Sequence, residues 1–112
     1  MEVSIAELYA GLGYRLAVHF FRKAGELMES GRFPEGIRYC RTGLQVLGRP
    51  WIDEPGLAYL DHSGDRIVEA DLREKRGDCR AAYGFLRSAF VHRCECYFGW
   101  MRTRGIEKVM ER

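Results

Sequence analysis

The chain has 112 residues, enough for one domain, and 46% of them are hydrophobic, as expected of a protein with a core. Its formal net charge is only +2, so the overall charge gives no reason to expect binding to nucleic acid or acidic lipid. The sequence has neither the basic and apolar runs of a secretory signal nor the roughly 20 apolar residues of a membrane span. We therefore expect a cytoplasmic protein without membrane contact.

The first predicted helix begins at a capping box formed by Ser4 and Glu7 and should end at Gly31. Gly11 and Gly13 each cost roughly 1 kcal/mol relative to alanine in a helix and could bend or interrupt it. Apolar residues then recur at steps of three and four, as on one face of a helix. They are Leu16, Phe20, Ala24, Leu27 and Met28.

The second predicted helix has Pro34 in its first turn, where the missing amide hydrogen is not needed. Its apolar stripe consists of Ile37, Cys40, Leu44 and Leu47. Gly36 and Gly43 lie beside this stripe, and small residues there allow two helix backbones to approach closely. The sequence Gly48-Arg49-Pro50 should end the helix.

The segment that follows allows two interpretations. An acidic residue before Pro55 resembles a helix start, and apolar residues continue at helical steps, which favours one helix over about residues 55–76. The run Ser63-Gly64-Asp65 could equally mark a break followed by a second helix cap.

The last predicted helix extends from Asp78 to about Arg104, roughly 40 Å at 1.5 Å per residue. Its stripe contains Cys79, Ala82, Tyr83, Leu86, Ala89, Phe90, Cys94, Tyr97 and Met101. The alternation typical of strands is absent throughout the sequence, so we predict an all-α protein.

Two segments of the sequence are similar, GRFPEGIRYCRTGL from Gly31 and GDCRAAYGFLRSAF from Gly77. Each has a turn glycine followed by large and small residues in the same order. This pattern resembles the tetratricopeptide repeat, although the two glycines are farther apart than the family's 34-residue period. The matching residues are Gly31, Phe33, Gly36, Ile37, Gly43 and Leu44.

The resemblance implies two antiparallel helix hairpins with a long C-terminal helix in a single domain. Hairpin one would cover about residues 14–48, a linker about 49–54, and hairpin two about 55–104. Because stacked hairpins leave open ends, either the last helix or another chain should cover the exposed end. A three-helix bundle of the microtubule-interacting-and-trafficking type would give similar local patterns.

The resemblance also implies a partner-binding groove along the first helix of each hairpin, suited to a helix or an extended peptide. The predicted groove contains Val18, Phe21, Arg22, Met28, Ile67, Val68 and Asp71, with Gly25, Glu29, Gly64, Glu74 and Lys75 beside them. Met28 and Ile67 could instead be core residues.

The end of the last predicted helix is a second candidate surface, because its apolar side chains surround the helix instead of keeping to one stripe. We predict self-association through Tyr97, Phe98, Trp100 and Met101. The alternative is burial of these residues against the N-terminal helix.

The sequence offers little support for a metal site or a catalytic site. His92 and Cys96 share a helix face, but two further ligands would have to come from elsewhere. Asp61-His62-Ser63 contains the residue types of a hydrolytic triad, although adjacent residues rarely have the required geometry. We predict no metal, no cofactor and no enzymatic activity.

These observations favour a protein-protein interaction module that acts as a small adaptor, chaperone or assembly subunit. It would bind a partner helix or peptide and form a homo-oligomer or hetero-complex. Because most of its cations are arginine, an arginine-rich helical nucleic-acid-binding regulator is the alternative, and steep loss of binding with salt would indicate it.

Overall fold

The computed structural model describes residues 5–54 and 60–104, which form four α-helices and a short 3-10 helix and contain no strand. The helices are α1 (Ile5–Glu29), α2 (Phe33–Leu47), the 3-10 helix (Pro50–Asp53), α3 (Ser63–Lys75) and α4 (Cys79–Arg104). The predicted all-α class is confirmed. Within these residues, no helix combines the length and the apolar character that crossing a bilayer requires.

The helices α1 and α3 end in the same way, at the two glycines that open the similar segments. Gly31 and Gly77 have φ of 82° and 80°, a left-handed conformation that glycine adopts without a steric penalty. The next amide reaches back five residues in both turns: Arg32 N–H donates to the Leu27 carbonyl and Asp78 N–H to the Arg73 carbonyl, each at 2.9 Å. Both turns are therefore Schellman motifs, which satisfy carbonyls that the helix end leaves without partners.

The start of α3 differs from the sequence-based prediction. Leu60, Asp61 and His62 are not α-helical, and α3 begins at Ser63, so the prediction of one helix over about residues 55–76 is wrong in this part. The cause is Asp61, whose carboxylate accepts hydrogen bonds from the Ser63 amide at 3.0 Å and the Ser63 hydroxyl at 2.6 Å. This local pairing gives the first amide of α3 a side-chain acceptor, although the N-cap residue His62 makes no capping hydrogen bond with its own side chain. The break before α3 agrees with the alternative interpretation of the sequence. Residues 55–59 lie outside the described residues.

The two hairpins, α1 with α2 and α3 with α4, are joined mainly by packing of α2 against α4. Between α1 and α4 the rings of Phe21 and Phe90 stack with centroids 4.1 Å apart. Residues from all four α-helices form one buried apolar cluster, the main core. It consists of Phe21, Ala24, Ile37, Cys40, Leu44, Ala70, Ala82, Leu86 and Ala89.

A second apolar cluster joins the first half of α1, the 3-10 helix and the end of α4. It consists of Ala10, Trp51, Tyr97, Trp100 and Met101. The 3-10 helix occupies most of the predicted linker at about residues 49–54, and it contributes the fully buried Trp51. The end of α4 is therefore packed against the chain's own first helix.

Small residues bring α1 and α2 close together. A Cβ atom added to Gly13 would lie 2.3 Å from the Val46 carbonyl oxygen, and one added to Gly43 would lie 2.8 Å from the ring of Phe21. These distances are shorter than ordinary van der Waals contacts. The close approach predicted beside the α2 stripe is confirmed, and Gly13 adds a contact on the facing helix.

Candidate protein-binding surface

The α1 part of the predicted groove borders a cavity of about 500 Å³. Phe21, Arg22, Gly25 and Glu29 line this cavity on one side. The opposite wall comes from α4 and not from α3, and it consists of Tyr83, Arg87, Phe90 and Val91. The cavity therefore lies between α1 and α4, whereas the predicted groove runs along α1 and α3.

The apolar members of the α1 part are largely engaged in the fold. Phe21 is 8% exposed and stacks on Phe90. Val18 and Met28 are half-buried, and a Cβ atom on Gly36 would lie 2.9 Å from the Met28 sulfur. Phe21 and Met28 therefore pack inside the helix pairs.

The α3 part of the predicted groove does not line the α1–α4 cavity. Ile67 packs against the main core, and Asp71 forms an ion pair with Arg41 of α2 at 2.7 Å. Arg41 also donates to Glu74 at 2.6 Å. Val68 is 58% exposed to solvent. The predicted groove residues of α1 and α3 therefore do not line one common groove: some border the α1–α4 cavity, and others lie in the core, in an ion pair or in solvent.

The residues predicted for self-association pack mostly inside the chain. Tyr97, Trp100 and Met101 are buried in the second cluster, and Phe98 is half-buried beside it. The Tyr97 ring stacks on Tyr14 of α1 with centroids 5.0 Å apart. This packing matches the alternative in the sequence analysis, burial against the N-terminal helix.

The outer face of α1 carries four exposed large apolar side chains that the sequence analysis did not select as a binding surface. One of them, Leu16, was placed in the predicted apolar stripe of this helix but lies on the side away from the core. Leu8, Tyr9, Leu12 and Leu16 are 57%, 69%, 55% and 50% exposed. We call these four residues the outer face of α1. The leucines are four residues apart, so they form one ridge along the helix.

The inner face of α1 is apolar as well and faces the core. It contains Ala10, Ala17, Phe21 and Ala24, all buried. Further along the helix the outer side is charged, since Lys23 and Glu26 form an exposed ion pair there at 3.4 Å. The first half of α1 therefore has two apolar faces, and among the described residues only the inner one is buried in the fold.

The only group of possible metal ligands in the described part of the chain is Asp61, His92 and Cys96, whose donor atoms lie within 4.8 Å of one another. These atoms already have partners. The Asp61 carboxylate also accepts hydrogen bonds from Arg49 Nε at 2.8 Å and Trp51 Nε1 at 2.7 Å, while the amide of His62 lies 2.8 Å from His92 Nε2. Metal binding would have to displace these bonds, and the absence of a metal stays a prediction.

Burial disfavours the reactive thiolate form of Cys40 and Cys94. All four cysteines are free thiols. Burial raises the pKa of Cys40 to about 12 and the pKa of Cys94 to about 11. Because the thiolate is the nucleophilic form, these two cysteines are poorly suited to covalent catalysis at neutral pH.

Arg93 links the two hairpins from a buried position on α4. Its Nη1 donates to the Leu44 carbonyl of α2 at 2.9 Å and its Nε to the Ser63 hydroxyl at 2.8 Å. Burial lowers the pKa of Arg93 and neighbouring Arg49 lowers it further, whereas Asp61 raises it. The planar guanidinium thus donates one hydrogen bond to α2 and one to the start of α3.

Replacing Arg93 by lysine should lower the free energy of unfolding by about 1–2 kcal/mol, because a single ammonium cannot reach both acceptors with the same geometry. Urea unfolding followed by circular dichroism would measure the loss. The matched control is Arg87→Lys, an exposed position on α4, where the change should stay within about 0.5 kcal/mol. Equal effects at both positions would contradict the linking role of Arg93.

Comparison of the chain with protein-family models, curated protein sequences and solved structures found no match.

Proposed function

We propose that this chain is a protein-protein interaction module, a small adaptor, chaperone or assembly subunit, and that it binds an amphipathic helix on the outer face of α1. The observation that carries the proposal is the contiguous stripe of four large apolar side chains, each at least half exposed. Contiguous exposed apolar patches are typical of protein interaction sites, and a helical ridge fits a helical partner.

The apolar residues of the outer face are not explained by the stability of α1 itself. The helix already buries its inner face, and lysine or glutamate would serve nearly as well as leucine for helix propensity at exposed positions. Burying apolar surface contributes roughly 25 cal/mol per Å², so three leucines and a tyrosine provide a large gain only when a partner covers them. Their presence favours a binding role.

The arginine-rich alternative receives less support from the arrangement of charges. Several arginines are paired with acidic side chains: Arg32 with Glu35, Arg41 with Asp71 and Glu74, and Arg49 with Asp61. A paired guanidinium is less available to phosphates than a free one. The free state of all four thiols suits the cytoplasmic location that we propose with this function.

The proposal is tested by placing a photoreactive phenylalanine analogue at position 12 of the full chain in its native cells. We expect a discrete cross-linked protein product on irradiation. The same analogue at position 76, which is exposed at the end of α3, should give no such product.

A second variant separates specific docking from chance contact. Leu16→Glu in the chain that carries the analogue at position 12 should remove the product, because it places a charge in the apolar stripe. Identical products from positions 12 and 76, or no product from position 12, would refute binding through the outer face of α1.

A further inference from the structure

We infer that the partner on the outer face of α1 is the same face of a second copy of this chain, packed antiparallel across a two-fold axis at Leu12. This inference rests on the proposed function and names the partner. The observations that carry it are the symmetry of the leucine ridge and the distribution of charge along α1.

The leucine ridge is self-complementary. In a two-fold symmetric interface, a residue i that contacts j of the partner implies that j contacts the partner's i. Leu8 and Leu16 lie at equal distances in sequence from Leu12, and all three are exposed to a similar extent. An antiparallel pair centred on Leu12 therefore sets Leu12 against the partner's Leu12 and Leu8 against the partner's Leu16.

The geometry of such a pair follows from the spacing of the ridge. Residues four apart form ridges that interdigitate when two helices cross at about −50°. A crossing at this angle limits the contact to a few turns, and the ridge from Leu8 to Leu16 is about 12 Å long at 1.5 Å per residue. The apolar stripe has about the length that such a crossing can cover.

The charges along α1 select the antiparallel direction. Residues 5–14 contain a single charged residue, Glu7, whereas residues 15–24 contain Arg15, Arg22 and Lys23. Parallel pairing would bring the two basic halves together, while antiparallel pairing separates them and also opposes the helix dipoles favourably. In the antiparallel register Arg15 comes opposite the partner's Tyr9, where a cation can lie over an aromatic ring.

The first test is the solution mass of the purified, reduced chain by light scattering coupled to size exclusion, over a range of concentrations. We expect a species of twice the 13.0 kDa chain mass. Leu12→Glu should give the monomer with unchanged helicity, because it sets two like charges against each other at the axis. Val68→Glu, at an equally exposed apolar position on α3, should leave the dimer intact.

Cysteine cross-linking tests the register. Under mild oxidation, Leu12→Cys alone should form a covalent dimer. Leu8→Cys and Leu16→Cys should form one efficiently only when the two variants are mixed. Val68→Cys and the unsubstituted chain serve as controls for the native thiols. Efficient cross-linking of Leu8→Cys with itself would indicate parallel packing and overturn the antiparallel pair.

The two proposals fail in distinguishable ways. A wild-type monomer at every concentration, together with a photo-cross-link from position 12 to a different protein, would overturn the homodimer and leave the proposed function standing. A monomer that also gives no product from position 12 would overturn both. A dimer that persists in Leu12→Glu would show that the chain associates through another surface.

Discussion

Replacing Gly13 by alanine should lower the free energy of unfolding by about 2 kcal/mol, although the same change in an isolated helix would raise its stability by about 1 kcal/mol. The reason is the contact between α1 and α2, where the new Cβ atom would lie 2.3 Å from the Val46 carbonyl oxygen and 3.2 Å from that of Leu47. Both neighbours are backbone atoms, so the helices themselves would have to move apart.

Gly11 provides a control on the same helix. A Cβ atom there would lie 3.7 Å from the Tyr97 hydroxyl, an ordinary contact. Gly11→Ala should therefore raise the free energy of unfolding by up to about 1 kcal/mol, through helix propensity alone. The difference between the two variants isolates the cost of the close approach.

Thermal unfolding would measure this difference, because a change of about 1 kcal/mol shifts the Tm of a domain of this size by about 4 °C. We expect Gly13→Ala to melt below the wild type and Gly11→Ala to melt at or above it. Equal stabilities of the two variants would contradict the close contact of α1 with the end of α2.

The helices could be predicted from the sequence wherever local signals agreed. Glycines at the ends of α1, α2 and α3, proline in the first turn of α2 and an aspartate before α4 each act within a few residues, so no knowledge of the fold is needed. Gly11 and Gly13 do not interrupt α1, because tertiary packing offsets their low helix propensity.

The boundary of α3 was harder to predict because it depends on a longer-range contact. Asp61 turns away from a helical course to accept hydrogen bonds from Arg49 and Trp51, which lie ten or more residues earlier. A pattern of apolar residues contains no information about such a pairing. The sequence could only indicate Ser63 as one of two alternatives.

The candidate surface could be predicted only in part, for a similar reason. The apolar residues near the end of α4 and those near the start of α1 are equally conspicuous in the sequence. In the folded chain the end of α4 packs on the inner face of α1 and does not cover the outer face of α1. Tyr97 and Trp100 are buried, while Leu8 and Leu12 remain exposed. Helical periodicity identifies apolar faces, but the packing of distant helices decides which face stays in contact with solvent.

Replacing Asp61 by asparagine should lower the free energy of unfolding by about 3 kcal/mol at pH 7. The side chain of Asp61 is fully buried, and its two oxygens accept hydrogen bonds from Arg49, Trp51 and Ser63. An amide would turn one acceptor into a donor that faces other donors, and would leave Arg49 without its counter-charge. Breaking one side of a buried ion pair costs several kcal/mol.

The loss should depend on pH in a direction set by the pKa of Asp61. Burial raises this pKa, but the hydrogen bonds from Ser63, Trp51 and Arg49 outweigh burial and hold it well below its usual range. As the pH falls, the unfolded chain is protonated first, at about pH 4. The stability contributed by the Asp61 carboxylate is therefore complete above about pH 5 and decreases progressively below pH 4.

Urea unfolding of the wild type and Asp61→Asn at pH 7 and at about pH 3 would test both expectations. The gap between the two proteins should be large at pH 7 and smaller at about pH 3. At low pH the unfolded wild type binds a proton at Asp61 that the folded wild type does not, whereas the asparagine of the variant binds no proton in either state. Asp53→Asn, an exposed acid in the neighbouring 3-10 helix, should change stability by less than about 0.5 kcal/mol at either pH. A gap that stays constant with pH would mean that the charge of Asp61 does not stabilise the start of α3.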